Sequence, residues 1–160
     1  MRFYRLVRSC LLGLGLGLIF ITSGTAQSVN QARLGIGPMI GDPTGVSVKY
    51  WQSANTAYQF GGAWSFIGEG AVHFHGDFLV HNWTLLGQQQ PTTSVYYGLG
   101  FRLKLEQHFR LGFRMPLGIA FQFSQAPLDF FLEIAPIMDL LPATQLRMNG
   151  GFGIRYYFRL

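Results

Sequence analysis

The sequence predicts an all-β fold, an eight-stranded antiparallel up-and-down transmembrane β-barrel. Three observations lead there. After residue 26, apolar and polar residues alternate over short runs broken by turn signals, and no helical period emerges. The apolar positions of those runs join into one continuous face rich in Phe and Leu. The opposite face gathers the charges together with many glycines. Only 12% of the chain is Asp, Glu, Lys or Arg, about half the usual share.

Residues 1–26 read as a secretory signal peptide. Arg2, Arg5 and Arg8 open the segment, and Leu11 to Ile21 is apolar or glycine throughout. Gly24 and Ala26 are the small residues ahead of a cut before Gln27. The apolar run is shorter than the roughly 20 residues that span a bilayer as a helix. Cys10, the only cysteine, lies inside this segment, so residues 27–160 form a domain without thiol or disulfide chemistry. Losing Arg2, Arg5 and Arg8 takes the formal charge from +5 to +2. That leaves no basic run with interleaved aromatics, and no nucleic-acid partner is expected.

Eight strands are predicted, at 32–41, 45–52, 57–66, 71–82, 94–105, 108–123, 127–139 and 146–158. Alternate residues of a strand share a face. The apolar face runs Leu34, Ile36, Pro38, Ile40, then Val46, Val48, Tyr50, then Tyr58, Phe60, Gly62, Trp64, Phe66. It continues through Val72, Phe74, Gly76, Phe78, Val80 and Val95, Tyr97, Leu99, Phe101, Leu103. The sixth strand gives eight apolar positions from Phe109 to Phe123, the seventh runs from Leu128 to Met138, and the eighth from Leu146 to Phe158. The other face carries Arg33, Lys49, Arg102, Lys104, Arg110, Arg114, Arg147 and Arg155, with Asp77, Asp129, Glu133 and Asp139. Asp42, Glu69, Glu106 and Arg159 fall in turns or at the end.

The apolar face is too wide to fit inside eight strands, whereas small residues suit a crowded interior. The apolar side is therefore expected to face lipid and the polar side to fill the lumen. Closure would also satisfy every backbone group, as a sheet in lipid requires. Trp51, Trp64 and Trp83 are expected near the interfaces.

Gly153, Tyr156 and Phe158 follow a Gly-x-x-aromatic-x-aromatic spacing, with Arg159 and Leu160 after it. It resembles the terminal-strand signal read during outer-membrane insertion. The whole pattern resembles the small eight-stranded outer-membrane barrels, such as the transmembrane domain of OmpA and OmpX. GIGPMIGDPTGVSVKYW (35–51) and FFLEIAPIMDLLPATQLRMNGGFGIRYYF (130–158) are closest to a short-looped bacterial barrel family of unknown function. The resemblance implies location in the outer membrane of a Gram-negative-type bacterium, outer-membrane lipid and the barrel assembly machinery as partners, and a monomer. It transfers no catalytic residue.

The remaining chemistry sits on the polar face. His73, His75 and Asp77 alternate along one strand, with His81 four residues beyond. Alternate histidines can hold zinc, but without cysteines or a second histidine pair a hydrogen-bonded polar lumen is the expected reading, with no cofactor and no metal. Buried charges must pair. Arg110 and Arg114 are expected to face Asp129 and Glu133, Arg147 and Arg155 to reach the same strand from its other side, and Lys49 and Arg33 to reach the last strand across the closure. The expected function is a non-enzymatic integral barrel with a structural or envelope role and a plugged lumen. The alternatives are a narrow channel or small-ligand transporter, favoured by the surplus of lumenal cations, and a lipid-modifying enzyme. The enzyme finds no Gly-x-Ser-x-Gly elbow. Short outer loops leave little for surface recognition.

Overall fold

The computed structural model of this chain describes residues 33–65, 71–86, 92–106 and 109–158. The segment 1–26, and with it Phe66, Glu69, His108, Arg159 and Leu160, lies outside the described residues.

The fold is all-β. Nine strands form one antiparallel sheet: β1 (Leu34–Asp42), β2 (Gly45–Trp51), β3 (Thr56–Ser65), β4 (Ala71–Asn82), β5 (Thr93–Leu105), β6 (Arg110–Arg114), β7 (Leu117–Gln122), β8 (Leu128–Leu141) and β9 (Gln145–Phe158). Neighbours in the chain pair with one another, and β9 returns to pair with β1. β6 and β7 share one position between β5 and β8, so the sheet is a ring of eight staves.

The expected single strand over 108–123 is thus two. Gly100 pairs with Arg114 and Tyr97 with Leu117, so the register on β5 is the same on both sides of the break. Across it, Gly98 N donates to Pro116 O at 2.9 Å and Met115 N to Pro136 O at 3.0 Å. Opposed residues of a hydrogen-bonded antiparallel pair exchange two bonds. Pro116 has no N–H to return to Gly98, and Pro136 has none to return to Met115. Two prolines on adjacent staves therefore each remove one rung, and the strand is interrupted without leaving its line. Pro38 acts in the same way on β1, whose pairing with β9 skips from Ile36↔Tyr156 to Met39↔Gly153.

Burial follows the period of two. Along β8, Asp129 is fully buried and Phe131 nearly so, while Phe130 and Leu132 are 42% and 53% exposed. The same inversion holds on the other staves: Phe60, Trp64, Phe74, Phe101, Phe113 and Phe152 lie outside, and Lys49, Gln59, Asp77, Arg102, Arg114 and Arg155 inside. The interior also holds two small apolar groups. Met39, Leu79, Tyr96, Ala120 and Phe131 form one. Trp51, Ala57 and Tyr157 form the other, with Trp83 against them. Trp51 sits on the inward parity at the end of β2, where it is 8% exposed, and Trp64 is outside at 55%.

The proline account makes an expectation. In Pro116→Ala the amide introduced at position 116 should donate to Gly98 O and join β6 to β7. Hydrogen exchange on the refolded protein should find it as protected as the Gly98 amide; free exchange at 116 would mean that the break has another cause.

Candidate functional site

The side chains that carry chemistry are those turned into the ring. Arg155 on β9 is central and fully buried. Its Nε and Nη2 donate to the two oxygens of Asp129 at 2.9 and 3.1 Å, a bidentate pair made possible by the register that opposes Asp129 and Arg155. Nη1 donates to Gln59 Oε1 at 2.7 Å and to Ser47 Oγ at 3.3 Å. The guanidinium lies 4.0 Å over the Phe131 ring. Tyr157 donates its hydroxyl to Asp129 Oδ2 at 2.6 Å. Every donor and acceptor of a charge in a dry interior must be met in this way.

Gln59 carries the network onward, donating to Glu133 Oε2 at 2.9 Å. The same oxygen accepts from the Tyr96 hydroxyl at 2.8 Å, and Glu133 Oε1 accepts from Arg114 Nη2. Arg114 also approaches Asp77, with Nε 3.4 Å from Oδ2. His75 Nε2 is 3.9 Å from that oxygen. These two separations are wider than an ordinary hydrogen bond and lie within ion-pair range. His73 Nε2, both ring nitrogens of His75 and both oxygens of Asp77 have no hydrogen-bond partner among the described residues.

Two glycines make room for this cluster. A Cβ on Gly61 would lie 2.0 Å from the His75 ring, and one on Gly100 would lie 2.1 Å from Asp77 Oδ1. Both face strand partners in register, Gly61 opposite His75 and Gly100 opposite both Asp77 and Arg114. The inward glycines thus let long side chains cross the interior.

His81 does not join His73, His75 and Asp77. Its Nε2 is 2.8 Å from Lys49 Nζ and its Nδ1 2.8 Å from Ser94 Oγ. The ring is 4.5 Å from that of Trp51 and stacks on Trp83. Serine, histidine and lysine thus stand in a row inside the ring, and the imidazole tautomer sets which of them donates. Among the described residues no group of three or more His, Cys, Asp and Glu is placed to hold a metal ion.

The sequence pairings hold in part. Arg114 meets Glu133, Arg155 meets Asp129, and Arg147 meets Asp139, with Nε 3.1 Å from Oδ2. Arg110 does not reach Asp129 or Glu133. It sits at the rim, with Nη2 2.7 Å from Glu106 Oε1, and Lys104 Nζ is 2.9 Å from Glu106 Oε2. Lys49 does not cross to β9 but meets His81, and Arg33 is exposed at the end of its stave. Arg102 takes Asp139, with Nη2 at 2.5 and 2.7 Å from its two oxygens. Ser47, Gln59, Ser94, Tyr96 and Tyr157 were missed. All lie on the inward parity of predicted strands, so extending the face count from charges to hydroxyls and amides finds them.

Comparison with protein-family models, with curated proteins and with solved structures finds no match for this chain.

Two expectations follow from this geometry. Asp129→Ala strands the Arg155 guanidinium and should cost about 3–5 kcal/mol, whereas Asp129→Leu with Arg155→Met should recover most of that loss. Urea unfolding followed by tryptophan fluorescence reads both; equal loss in the single and double variants would mean that the pair is not the stabilising unit. At the rim, the hydrogen bond from Lys104 and the Lys104 and Arg110 charges hold the Glu106 carboxyl below its ordinary 4.5. A depressed carboxyl contributes stability above its unfolded pKa and loses it as pH falls through the folded one. NMR titration of the Glu106 side chain should therefore show a midpoint below 4.5, returning toward 4.5 in Lys104→Gln.

Proposed function

We propose that this chain is an integral outer-membrane β-barrel, made with a cleaved signal over residues 1–26, that serves a structural, envelope-maintaining role without enzymatic chemistry. One observation carries the reading. The closed ring is inverted relative to a water-soluble protein, with charges inside and a continuous apolar surface outside. Soluble monomers rarely expose more than a few hundred Å² of contiguous apolar patch, and here the apolar face goes round the ring. Closure supports the same conclusion, since a sheet in lipid needs each backbone polar group paired internally. Its partners on this reading are the surrounding lipids and, during insertion, the assembly machinery that reads the Gly153, Tyr156 and Phe158 pattern.

The interior favours a plug over a conduit. The layer of Arg155, Asp129, Gln59 and Phe131 crosses the ring, and Trp51, Tyr157, His81 and Tyr96 crowd against its flank. Eight strands leave an interior that side chains fill. Passage of an ion would have to part the bidentate Arg155–Asp129 pair.

Fractionation tests the location: the protein should be found in the outer membrane and migrate faster on a gel before boiling than after. A soluble, periplasmic product would sink the proposal. In planar bilayers the purified protein should show no stable discrete conductance; a reproducible single-channel step would establish the channel instead.

A further inference from the structure

We infer that a cavity at the rim, between the β5–β6 and β8–β9 turns, binds the phosphoryl headgroup of an anionic lipid. The cavity measures about 240 Å³ and is lined by Arg110, Asp139, Leu141, Pro142, Ala143 and Gln145. Its own lining carries one cation, Arg110, and one carboxylate, Asp139, and the residues bonded to these two, directly or through Glu106, add three more cations and one carboxylate. Asp139 is the one carboxylate in the lining, and it is already bracketed by two guanidiniums, Arg102 on both oxygens and Arg147 on Oδ2. Arg110 shares Glu106 with Lys104. Four cations thus meet two carboxylates in this corner.

Among the described residues the donors are not used up. A guanidinium has five N–H groups and an ammonium three. Arg110 commits Nη2 to Glu106, Arg147 commits Nε to Asp139 and Nη2 to Gln145 Oε1, and Lys104 commits one hydrogen to Glu106. Several charge-assisted donors around one small space suit the terminal oxygens of a phosphoryl group better than the two oxygens of a carboxylate.

The apolar surroundings identify a lipid as the source. Leu141 lines the cavity and is half exposed, because the register shift between Leu111 and Gly112 brings Leu141 opposite Leu111 while Asp139 stays opposite Gly112. Leu146, on the facing arm of the hairpin, is 82% exposed, the highest value among the exposed large hydrophobic residues described. Phe109 and Leu140 are exposed beside them. A phosphoryl group in the cavity would place its chains on this surface. The inference rests on the membrane reading above for its source of ligand.

The probes are dihexanoyl phosphatidic acid and inorganic phosphate, titrated into protein folded in a maltoside detergent and followed by ³¹P NMR. Phosphatidic acid should bind saturably, at least tenfold more tightly than inorganic phosphate. Arg110→Gln should weaken it at least tenfold, Arg33→Gln at the far end of the ring should not, and heat-modifiable migration should verify that each variant is folded. Leu146→Ser, at an exposed position, should weaken phosphatidic acid and leave inorganic phosphate unchanged. Absence of saturable binding, equal affinity for the two probes, or phosphatidic acid affinity unaltered by Arg110→Gln would overturn the inference. Flotation with vesicles of phosphatidylcholine, whose headgroup is zwitterionic with no net charge, tests insertion without an anionic lipid, so failure there overturns the membrane reading separately.

Discussion

A guanidinium with no water around it must find all its partners in protein, and Arg155 sets that condition for the whole ring. It is fully buried on β9, and its partners come from β8, β3 and β2. They converge only when the last strand has paired with the first, because Ser47 and Gln59 lie across the β1–β9 seam from Asp129. The cost of leaving this charge unpaired is several kcal/mol. Closure of the sheet and neutralisation of its interior are therefore one event seen twice, in the backbone ladder and in the side chains.

Width is the second constraint, and it follows from the first. An interior that must hold Arg155, Arg114, Glu133, Asp77 and His75 within one ring has little room to spare. Long polar side chains fit because glycine faces them. Gly61 leaves its space to His75, and Gly100 leaves its space to Asp77. The outer face has no such limit, and most of the Phe and Leu residues are found there, with Phe131 and Leu79 inside. The glycines and the large outward hydrophobes are two consequences of one narrow ring.

Much of this was legible in the sequence, because a strand's period of two assigns each residue to a face once the strand is located. The faces of Asp129 and Phe130, or of Arg155 and Tyr156, needed nothing more. Pairing was less legible, since it depends on register and tilt and not on parity alone. Arg110 and Arg114 share a face of one stave, yet four residues of tilt separate a rim position beside Glu106 from an interior one beside Glu133. Lys49 was expected across the seam, but its register neighbour on β3 is Gln59 and its closest partner is His81 on β4. The strand break leaves no trace in the side-chain pattern, because Met115-Pro116 sits inside a run of perfect alternation. A missing N–H leaves the side-chain pattern untouched.

The interior is graded from end to end. Around Arg155, Asp129, Gln59, Glu133 and Tyr96, and again at Lys49, His81 and Ser94, the polar side chains meet partners within 3.3 Å. Toward the other end Arg102 still meets Asp139 at 2.5 and 2.7 Å, while Asp77 stands 3.4 Å from Arg114 and 3.9 Å from His75. Among the described residues, most buried side-chain atoms without hydrogen-bond partners lie on His73, His75, Asp77, Arg102 and Arg114, with one each on Trp51 and Asn149. Beyond them, Asp139 reaches the rim cavity. A ring saturated throughout would be a rod with nothing to offer. One that is saturated at Arg155 and less so at Asp77 and His75 keeps closure in the first place and leaves buried polar groups without partners in the second. The His-x-His-x-Asp run on β4 belongs to that second region.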